Sequence, residues 1–367
     1  MISLFLSISA QIIALQKMDL KAAGTKRAKM ATMKAIQFRQ FGGPEVLEYV
    51  DVPRPSPKPG EVLVKVHAVS VNRTLDLVMR SGRYAKPVKL PHILGVDPSG
   101  VIAEIGEGVT DRKVGDRVVT IPWRPNPTAP SDSVGVQYPG GYAEYVALPA
   151  IGTLPIPGTL DFTTATVVAR HAAAAFTLLR DAAAVKAGEW VLIMGASGGL
   201  GSAGIQVAKN FGAKVIAAAG ADERVAAAVA IGADAGVNYR TQDLTAEVMR
   251  ITDGKGVNVV FENVGDPVLF PKAFATLARF GRLVTSGGHA GGLVQIDINK
   301  LYLNQISIHG RVGFSTKDIV DSLQVAADGK FKILVDKVYP LRLAAEAHRR
   351  VDERSGLGKV ILDPTQA

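Results

Sequence analysis

A glycine-rich segment near the middle of the chain constrains the fold more than any other feature. Residues 191–194 are apolar, residues 195–201 read Gly-Ala-Ser-Gly-Gly-Leu-Gly, and a pattern with helical period follows. A strand, a tight turn and a helix in this order leave backbone N–H groups at the start of the helix free to bind phosphate. Gly198 leaves room for a phosphate to approach the backbone, and Gly201 lets the helix pack closely on the strand. We therefore predict a phosphate-binding turn formed by Ala196, Ser197, Gly198, Gly199, Leu200 and Gly201.

The chain changes character at about Pro157. Before it, short strand-like runs alternate with glycine and proline, a pattern that predicts a β-barrel with little helix. After it, strands alternate with helices, which predicts a doubly wound parallel sheet. The expected strands are 190–194, 214–219, 257–261, 282–286 and 306–310, and the expected helices are 163–184, 199–211, 222–231 and 267–279.

These patterns predict an α/β protein with two domains. Residues 33–157 are expected to form the barrel domain and residues 158–329 the dinucleotide-binding domain. Residues 330–367 are expected to return and complete the barrel, ending in a strand at 359–362. Residues 1–32 are expected to be a tail that is either disordered or the product of a start assigned too early.

The composition excludes several classes of protein. The 367 residues include no cysteine, so disulfides, thiolate metal sites and cysteine nucleophiles are excluded. The net charge is +9, but no basic stripe is interleaved with aromatic residues, so we expect no nucleic-acid partner. The apolar residues 1–16 are too few for a membrane span of about 20 residues and lack the positive start of a secretory signal. We expect a cytoplasmic protein without a membrane partner.

Several short motifs run through the chain in a fixed order. They lie at 42–47, 59–64, 72–76, 80–82, 95–100, 115–118, 262–265, 281–284 and 358–360. Together with the glycine turn they resemble the medium-chain dehydrogenase/reductase superfamily, in particular its zinc-free quinone oxidoreductase (zeta-crystallin-like) branch. The resemblance implies a GroES-like β-barrel domain for the substrate and a Rossmann domain for a nicotinamide cofactor, with the cleft between them. It also implies a homodimer.

The resemblance further implies that no metal takes part. Zinc-dependent relatives hold the ion with a cysteine, a His-Glu pair and a second cysteine, at positions that correspond to Asn72, Val96 with Asp97, and His171. Zinc prefers three or four ligands drawn mostly from His and Cys, so we expect no metal site. The remaining chemistry is direct hydride transfer to a quinone or an α,β-unsaturated carbonyl, with the protein stabilising the developing oxyanion.

The resemblance places His171, Asn72 and Tyr84 on the substrate face. A histidine with a pKa near neutrality can donate the proton that follows hydride transfer. Asn72 and Tyr84 are candidate neutral donors. Arg170 is a candidate for binding a substrate oxygen or a cofactor phosphate.

The segment 72–80 departs from the family's spacing. Three residues separate Asn72 from Asp76, where the family commonly has two. Asp76 and Arg80 are four residues apart, a spacing that predicts an ion pair on one helix face.

The end of the predicted strand 214–219 indicates which cofactor binds. NAD-binding domains usually place an acid there to bind the ribose, whereas this strand ends in small residues. Asp222 is either that acid or the N-cap of the next helix, and we favour the N-cap. Arg224 is placed to pair with a 2′-phosphate, and Tyr239 matches a position that the family uses for the same phosphate, so we predict NADPH rather than NADH. Further cofactor contacts are expected at Asn263, Val264, Gly265, Ser286, Gly287 and Val312.

The function predicted from the sequence is that of an enzyme. It is a zinc-independent, NADPH-dependent reductase that transfers hydride to a small-molecule quinone or α,β-unsaturated carbonyl. An enoyl-thioester reductase is one alternative, which a basic rim at the cleft would favour. A non-catalytic NADPH-binding protein is another. A metal-dependent alcohol dehydrogenase is disfavoured because its ligands are missing.

Overall fold

The computed structural model describes residues 31–121, 133–353 and 356–366. The predicted tail lies outside the described residues, apart from residues 31 and 32. The strands are β1 (Thr32–Gln37), β2 (Glu48–Pro53), β3 (Glu61–Ser70), β4 (Ser99–Ile105), β5 (Arg117–Thr120), β6 (Tyr145–Pro149), β7 (Thr153–Pro155), β8 (Trp190–Met194), β9 (Lys214–Ala219), β10 (Ala235–Asn238), β11 (Val257–Phe261), β12 (Leu277–Thr285), β13 (Ser307–Gly310), β14 (Val335–Pro340) and β15 (Lys359–Asp363). The α-helices are α1 (Val78–Arg80), α2 (Phe162–Val167), α3 (Ala173–Phe176), α4 (Gly199–Asn210), α5 (Asp222–Ala230), α6 (Leu244–Ile251), α7 (Leu269–Ala275), α8 (Ile298–Leu303), α9 (Thr316–Ala327) and α10 (Ala344–Asp352).

Short turns of other helical types complete the chain. The 3-10 turns are Pro44–Val46, Ala150–Gly152 and Leu341–Leu343, and the π-helical turns are Arg73–Leu77, Val168–Ala172 and Thr177–Ala182.

The second half of the chain forms a six-stranded parallel sheet in the order β10-β9-β8-β11-β12-β13. Successive side chains of a strand point to opposite faces, and here both faces are covered. Val191 and Ile193 pack against α4 and the segment 165–183. Leu192 and Met194 pack on the other face against α6 and α7. This is the doubly wound Rossmann sheet that the sequence predicts, and β8, β9 and β11 have the predicted bounds.

Two predictions for this sheet were wrong in detail. Strand β10 and helix α6 were not foreseen, and β12 begins at Leu277 rather than at residue 282. Leu277 pairs with Val257 ahead of a register shift, so the strand starts inside the predicted helix 267–279, which ends at Ala275. Phe270, Phe274 and Leu277 are all buried in one cluster. Their three- and four-residue spacing imitates a longer helix.

The barrel sheet combines the first half of the chain with its C-terminus. Its order is β14-β15-β3-β4-β5-β7, with β6 also paired to β3. Strand β3 is the long central element, and it pairs antiparallel with β4, β6 and β15. In the last of these pairs Ile361 lies opposite Ser70. The predicted return of the C-terminal strand to the first domain is confirmed.

The extra residue between Asn72 and Asp76 is absorbed by a π-helical turn. Residues Arg73–Leu77 form this turn, and the Leu77 N–H donates to the Asn72 carbonyl five residues earlier, at 3.4 Å. A π-turn is how a helix accommodates one inserted residue without changing the helix on either side, and such turns occur often at functional sites. A second π-turn, Val168–Ala172, contains Arg170 and His171.

The ion pair predicted between Asp76 and Arg80 was wrong. The Asp76 carboxylate is buried and accepts the N–H groups of Asn72, at 2.7 Å, and of Gly95, at 3.2 Å. Arg80 points to α10 instead, where it pairs with Asp352 at 3.1 Å and contacts His348. Arg80 thus bonds to the C-terminal helix α10 and not to Asp76. The four-residue spacing between Asp76 and Arg80 could not reveal this partner.

One long apolar segment lies within the fold. Residues Phe162–Ala182 have the length and mean hydropathy of a membrane-spanning helix, but 61% of that segment is buried inside the protein, as expected for a core helix. Its residues pack against α4 and α9.

His348 holds the C-terminal helix α10 to the barrel through a fully buried imidazole. Arg80 donates to its Nδ1 at 3.1 Å, so Nε2 carries the hydrogen and donates to the Tyr142 hydroxyl oxygen at 3.1 Å. Burial, and secondly the Arg80 charge, lower the pKa of His348 from 6.5 to about 3.

We predict that His348 makes the fold acid-sensitive. The imidazole is neutral in the folded protein but takes up a proton on unfolding once the pH is below 6.5, so its contribution to stability falls between pH 6.5 and about 3. The limiting slope is about 1.4 kcal/mol per pH unit. Urea unfolding at several pH values should show a shallower acid-side slope for His348→Gln than for the wild type. Parallel slopes would contradict this role.

Candidate functional site

A cleft of about 730 Å³ lies where the barrel meets the carboxyl end of the parallel sheet. Residues from both sheets line it. All three predicted catalytic residues, Asn72, Tyr84 and His171, are among them. So are most of the predicted cofactor residues, namely Ser197, Gly198, Gly199, Leu200, Gly201, Arg224, Asn263, Val264, Ser286 and Val312.

The other four predicted cofactor residues do not line the cleft. Ala196 is buried beneath the glycine turn. Gly265 has a left-handed φ of 62°, and a Cβ there would lie 2.6 Å from the Cα of Gly288. Gly287 follows β12, and Tyr239 follows β10. For these residues a cofactor contact stays a prediction.

The glycine turn depends on close backbone approaches. Helix α4 begins at Gly199 with Gly198 as its N-cap. A Cβ on Gly201 would overlap the carbonyl oxygen of Gly195, so the predicted close packing of helix on strand holds. A Cβ on Gly199 would lie 2.8 Å from the Lys359 Cδ and 3.0 Å from the His171 Nε2. The start of the helix is therefore in contact with two cleft residues from distant parts of the chain.

Three buried polar atoms in the cleft have no hydrogen-bond partner within the described parts of the chain. They are the His171 Nε2, the Arg224 Nε and the Asn263 Nδ2. Buried polar atoms in folded proteins are nearly always hydrogen-bonded, so orphans that share one cleft indicate a ligand. Together with the N–H groups at the start of α4 they fit an elongated molecule that carries phosphate groups, such as a nicotinamide dinucleotide.

A second polar group surrounds the end of β9. An ideal Cβ on Gly220, the residue after β9, would lie 3.0 Å from the Tyr239 hydroxyl and 3.2 Å from the Arg240 Nε. Arg240 was not predicted, and the only signal for it was its position next to Tyr239. The glycine after β9 is therefore packed closely against a phenol and a guanidinium.

The interpretation of Asp222 as an N-cap was wrong. Asp222 is the first residue of α5, the N-cap position belongs to Ala221, and no side chain caps the helix. The Asp222 carboxylate accepts instead from the Asn238 side chain at 2.7 Å. This bond fastens α5 to the end of β10, which the sequence did not predict as a strand.

A buried polar cluster forms the barrel side of the cleft, centred on Asp97. The Asp97 carboxylate accepts from the Ser70 N–H, the Ser70 hydroxyl and the Asn72 amide. The Lys359 ammonium donates to the Asn72 Oδ1 at 3.0 Å and to the Val71 carbonyl at 2.9 Å. The Asn72 amide hydrogens are thus bonded to Ser70 and Asp97, and its predicted role as a donor to substrate stays a prediction.

Lys359 was not predicted as a cleft residue, although residues 358–360 are one of the motifs, because its local sequence does not show which part of the fold it meets. It lies on β15, and only the return of that strand to β3 carries it into the cleft. Burial lowers its pKa from 10.5 to about 8, although the Asp97 charge opposes the shift. Burial, with the Asp97 charge, raises the pKa of the neighbouring Asp76 to about 6.

The expected near-neutral pKa of His171 was wrong. Burial lowers the pKa well below 6.5, and the positive charges of Lys359 and Arg170 lower it further. His171 is therefore a neutral imidazole at physiological pH. It can offer a hydrogen bond to a ligand, but it cannot serve as an imidazolium acid.

The residues at the position of a zinc site do not fit the ion. The side chains of Asn72 and Asp97 are hydrogen-bonded to each other. Asp97 is also bonded to Ser70, and Asn72 to Lys359. Arg170 lies 3.9 Å from the Asp97 carboxylate, so a cation already stands beside the one acidic group. Among the described residues no group of three or more His, Asp or Glu could hold a metal. A zinc ion prefers three or four unengaged ligands.

Known proteins are similar to this chain in sequence and in fold. Residues 58–158 match the family model of the alcohol dehydrogenase GroES-like domain, and residues 199–328 match that of the zinc-binding dehydrogenase. The quinone oxidoreductase of Homo sapiens is 33% identical over 338 residues, which cover 90% of this chain and 97% of that protein. The chain belongs to the medium-chain dehydrogenase/reductase superfamily, in its quinone oxidoreductase branch.

Solved structures of this superfamily have the same fold. The crystal structure of AibC gives a TM-score of 0.85 at 31% identity, over 92% of this chain and 97% of that one. The quinone oxidoreductase of Escherichia coli complexed with NADPH gives 0.78 at 29% identity, over 90% and 100%. A cobalt- and zinc-bound alcohol dehydrogenase from Pyrobaculum aerophilum gives 0.81 at 28% identity, over 91% and 100%. The predicted pairing of a GroES-like domain with a Rossmann domain is confirmed.

Proposed function

We propose that this medium-chain dehydrogenase/reductase is a zinc-independent, NADPH-dependent reductase of quinones or α,β-unsaturated carbonyls. The observation that carries the proposal is the cluster on the barrel side of the cleft. There the Asp97 carboxylate is bonded to Ser70 and Asn72, and Lys359 and Arg170 hold positive charge nearby. The position that a metal would need is thus taken up by protein cations and their partners. An acceptor that needs no metal activation, such as a conjugated carbonyl, suits this cleft.

The cofactor proposal rests on complementary charge along the cleft. The N–H groups at the start of α4 suit a pyrophosphate. Arg224, whose Nε has no partner among the described residues, and the Tyr239–Arg240 pair suit a 2′-phosphate. The Asn263 Nδ2, which has no partner among the described residues, is proposed to bind the ribose or the nicotinamide, and Ser286 and Val312 to line the same path. This is the basis for NADPH rather than NADH.

The residues would share the chemistry as follows. When bound, the reduced nicotinamide supplies a hydride. The chain orients the acceptor between the Tyr84 and Asn72 side and the glycine turn, and keeps His171 neutral. An acceptor oxygen that gains negative charge would meet the positive field of Arg170 and Lys359.

A second candidate function is the reduction of enoyl thioesters. Arg73 and His289 also line the cleft, and the Arg73 charge is close enough to lower the pKa of His289 further after burial has lowered it. Positive charge of this kind suits a long, anionic acyl carrier. Rates of NADPH oxidation with each type of acceptor distinguish the two functions from each other and from a protein that only binds NADPH.

We also propose a domain division and a cellular location for this enzyme. We propose the division into 33–157, 158–329 and 330–367, and the pairing of β15 with β3 supports the inclusion of the last segment in the barrel. We propose a cytoplasmic enzyme that acts on a soluble, small-molecule acceptor, without a membrane or nucleic-acid partner.

A homodimer is proposed through the edge of the parallel sheet. Strand β13 is the last strand in the order, paired only with β12 among the described residues. Exposed apolar side chains lie on β12, on α8 and in the segment between them, namely Phe280, Leu293, Ile298, Tyr302 and Leu303. An uncovered strand edge beside apolar surface is a typical site for self-association.

We predict that the purified chain oxidises NADPH with 1,4-benzoquinone or an enone as acceptor, and that a chelator does not reduce the rate. The physical reason is that Asn72 and Asp97 are already hydrogen-bonded within the protein, while Arg170 and Lys359 place positive charge in the cleft. Absorbance at the reduced nicotinamide band, with an aldehyde and crotonyl thioester as further acceptors, gives the rates. Aldehyde reduction that the chelator abolishes would contradict the proposal. A faster rate with the thioester would favour the second candidate, and binding without any turnover would favour a non-catalytic protein.

We predict that Arg224→Gln weakens NADPH binding by about 10- to 100-fold, because it removes a charge-assisted bond to the 2′-phosphate. NADH lacks that phosphate, so its dissociation constant should change by less than about 3-fold. Fluorescence titration measures both constants. Arg39→Gln, which alters an exposed arginine on the barrel surface, is the matched control. Equal weakening of both cofactors would count against the 2′-phosphate assignment.

We predict that sedimentation equilibrium returns twice the mass of one chain. Tyr302→Glu with Leu303→Glu should convert the dimer to monomer, because two buried charges would replace apolar contacts. A wild-type mass equal to one chain would refute the dimer.

A further inference from the structure

Arg170 is a cleft residue whose guanidinium makes no hydrogen bond within the described chain. Its side chain is 18% exposed and lines the cleft next to His171. Within the described ranges, its one charged partner is the Asp97 carboxylate, and the 3.9 Å between the Arg170 Nε and the Asp97 Oδ2 is too long for a hydrogen bond. The guanidinium therefore presents N–H donors to the cleft.

Besides Arg170, the arginine and lysine side chains that line the cleft are those of Arg73, Arg224, Arg350 and Lys359. The Lys359 ammonium donates to the Val71 carbonyl and the Asn72 amide oxygen. Arg350 is bonded to Asp336 at 2.8 and 2.9 Å. Arg224 lies at the far end of the cofactor path, on α5. Compared with Lys359, Arg350 and Arg224, Arg170 combines a central position with a guanidinium that makes no hydrogen bond to the described chain.

The surroundings of Arg170 keep it in place. It belongs to the π-turn Val168–Ala172, which also carries His171. Asp97, 3% exposed and fixed by three hydrogen bonds, stands on one side of it. The positive charge of Arg170 reaches Asp76, His171 and Lys359, whose pKa values it lowers. Arg170 thus acts at the same point of the cleft where Asn72 and His171 converge.

We propose that Arg170 is a catalytic residue that binds the carbonyl oxygen of the acceptor and stabilises the oxyanion formed there. The role rests on the proposed function and deepens it. It gives the arginine the part that a metal ion plays in other members of the superfamily, as a fixed positive charge aimed at the reacting oxygen. A guanidinium suits this part because it stays charged and offers several N–H donors in one plane.

The reaction balances without a further reagent. In an enone, the hydride forms a C–H bond at the β-carbon, the C=C electron pair shifts, and the carbonyl oxygen becomes an enolate oxygen held by Arg170. Water then protonates the α-carbon and the C=O bond re-forms. In a quinone, the hydride supplies two electrons and one hydrogen, which gives a hydroquinone monoanion. Its charged oxygen is held by Arg170 until water protonates it.

Arg170, and not His171, is thus the residue that stabilises the oxyanion. A neutral imidazole cannot neutralise an oxyanion, whereas a guanidinium can. This role of Arg170 also predicts that phenolate anions, which resemble the hydroquinone monoanion, bind in the cleft more tightly than neutral phenols. The substrate class is thus an acceptor whose reduced form carries negative charge on oxygen.

The test compares wild-type enzyme with Arg170→Gln, Arg170→Lys and the surface control Arg39→Gln. Rates of NADPH oxidation with quinone and enone are measured together with binding of 4-nitrophenolate to each enzyme saturated with NADP⁺. The visible absorbance of the probe distinguishes anion from neutral phenol. Fluorescence titration of NADPH and thermal unfolding show whether each variant retains cofactor binding and fold.

We expect Arg170→Gln to lower kcat by about 100-fold, as the loss of one oxyanion donor does in other enzymes. Phenolate affinity should fall at least about 10-fold while NADPH affinity is unchanged, since the lost bond is to the anion. Arg170→Lys should lie between wild type and Arg170→Gln in both measurements, and Arg39→Gln should match wild type.

Two results would overturn the proposal. The first is an Arg170→Gln enzyme that is as active as wild type. The second is a loss of kcat with unchanged phenolate affinity, which would make Arg170 only a structural partner of Asp97. If wild type reduces no acceptor, the proposed function fails separately. The phenolate measurement then still decides whether Arg170 binds an anionic oxygen.

Discussion

The buried carboxylate of Asp97 is the constraint on which the cleft depends. A carboxylate taken out of water is strongly unfavourable unless hydrogen bonds and opposite charge surround it. Here those groups come from β3, from the start of the first π-turn, from the second π-turn and from β15. One side chain thus draws together segments separated by up to about 290 residues in the chain. The polar cluster that results forms one wall of the cleft, and the glycine turn forms the other.

Much of the fold could be predicted because its signals are local. Apolar runs and the glycine turn are encoded within a few residues, and β8, β9 and β11 follow them closely. The same holds for Gly201, whose close approach to Gly195 occurs within one turn. Strand β10 and the start of β12 were harder to predict from the sequence. A four-residue strand gives little periodic signal, and the spacing of Phe270, Phe274 and Leu277 imitates a helix.

The site was predictable only in part, because some of its properties depend on contacts between distant parts of the chain. The residues of the glycine turn could be named from sequence, and so could Asn72, Tyr84 and His171 as cleft residues. Their electrostatics could not, since the pKa of His171 depends on burial and on charges from Lys359 and Arg170. Arg80 shows the limit most clearly, because its partners Asp352 and His348 lie about 270 residues away from it. The π-turn at Arg73–Leu77 shows, conversely, how an altered spacing can leave the site intact.

The central claim is that a protein cation, rather than a metal, meets the reacting oxygen. A crystal structure of the enzyme with NADP⁺ and 4-nitrophenolate, with diffraction recorded on both sides of the zinc absorption edge, tests it most directly. We expect the phenolate oxygen to lie within about 3 Å of the Arg170 guanidinium and no anomalous peak to appear beside Asp97. An anomalous peak between Asp97 and His171, or a phenolate oxygen turned away from Arg170, would contradict it.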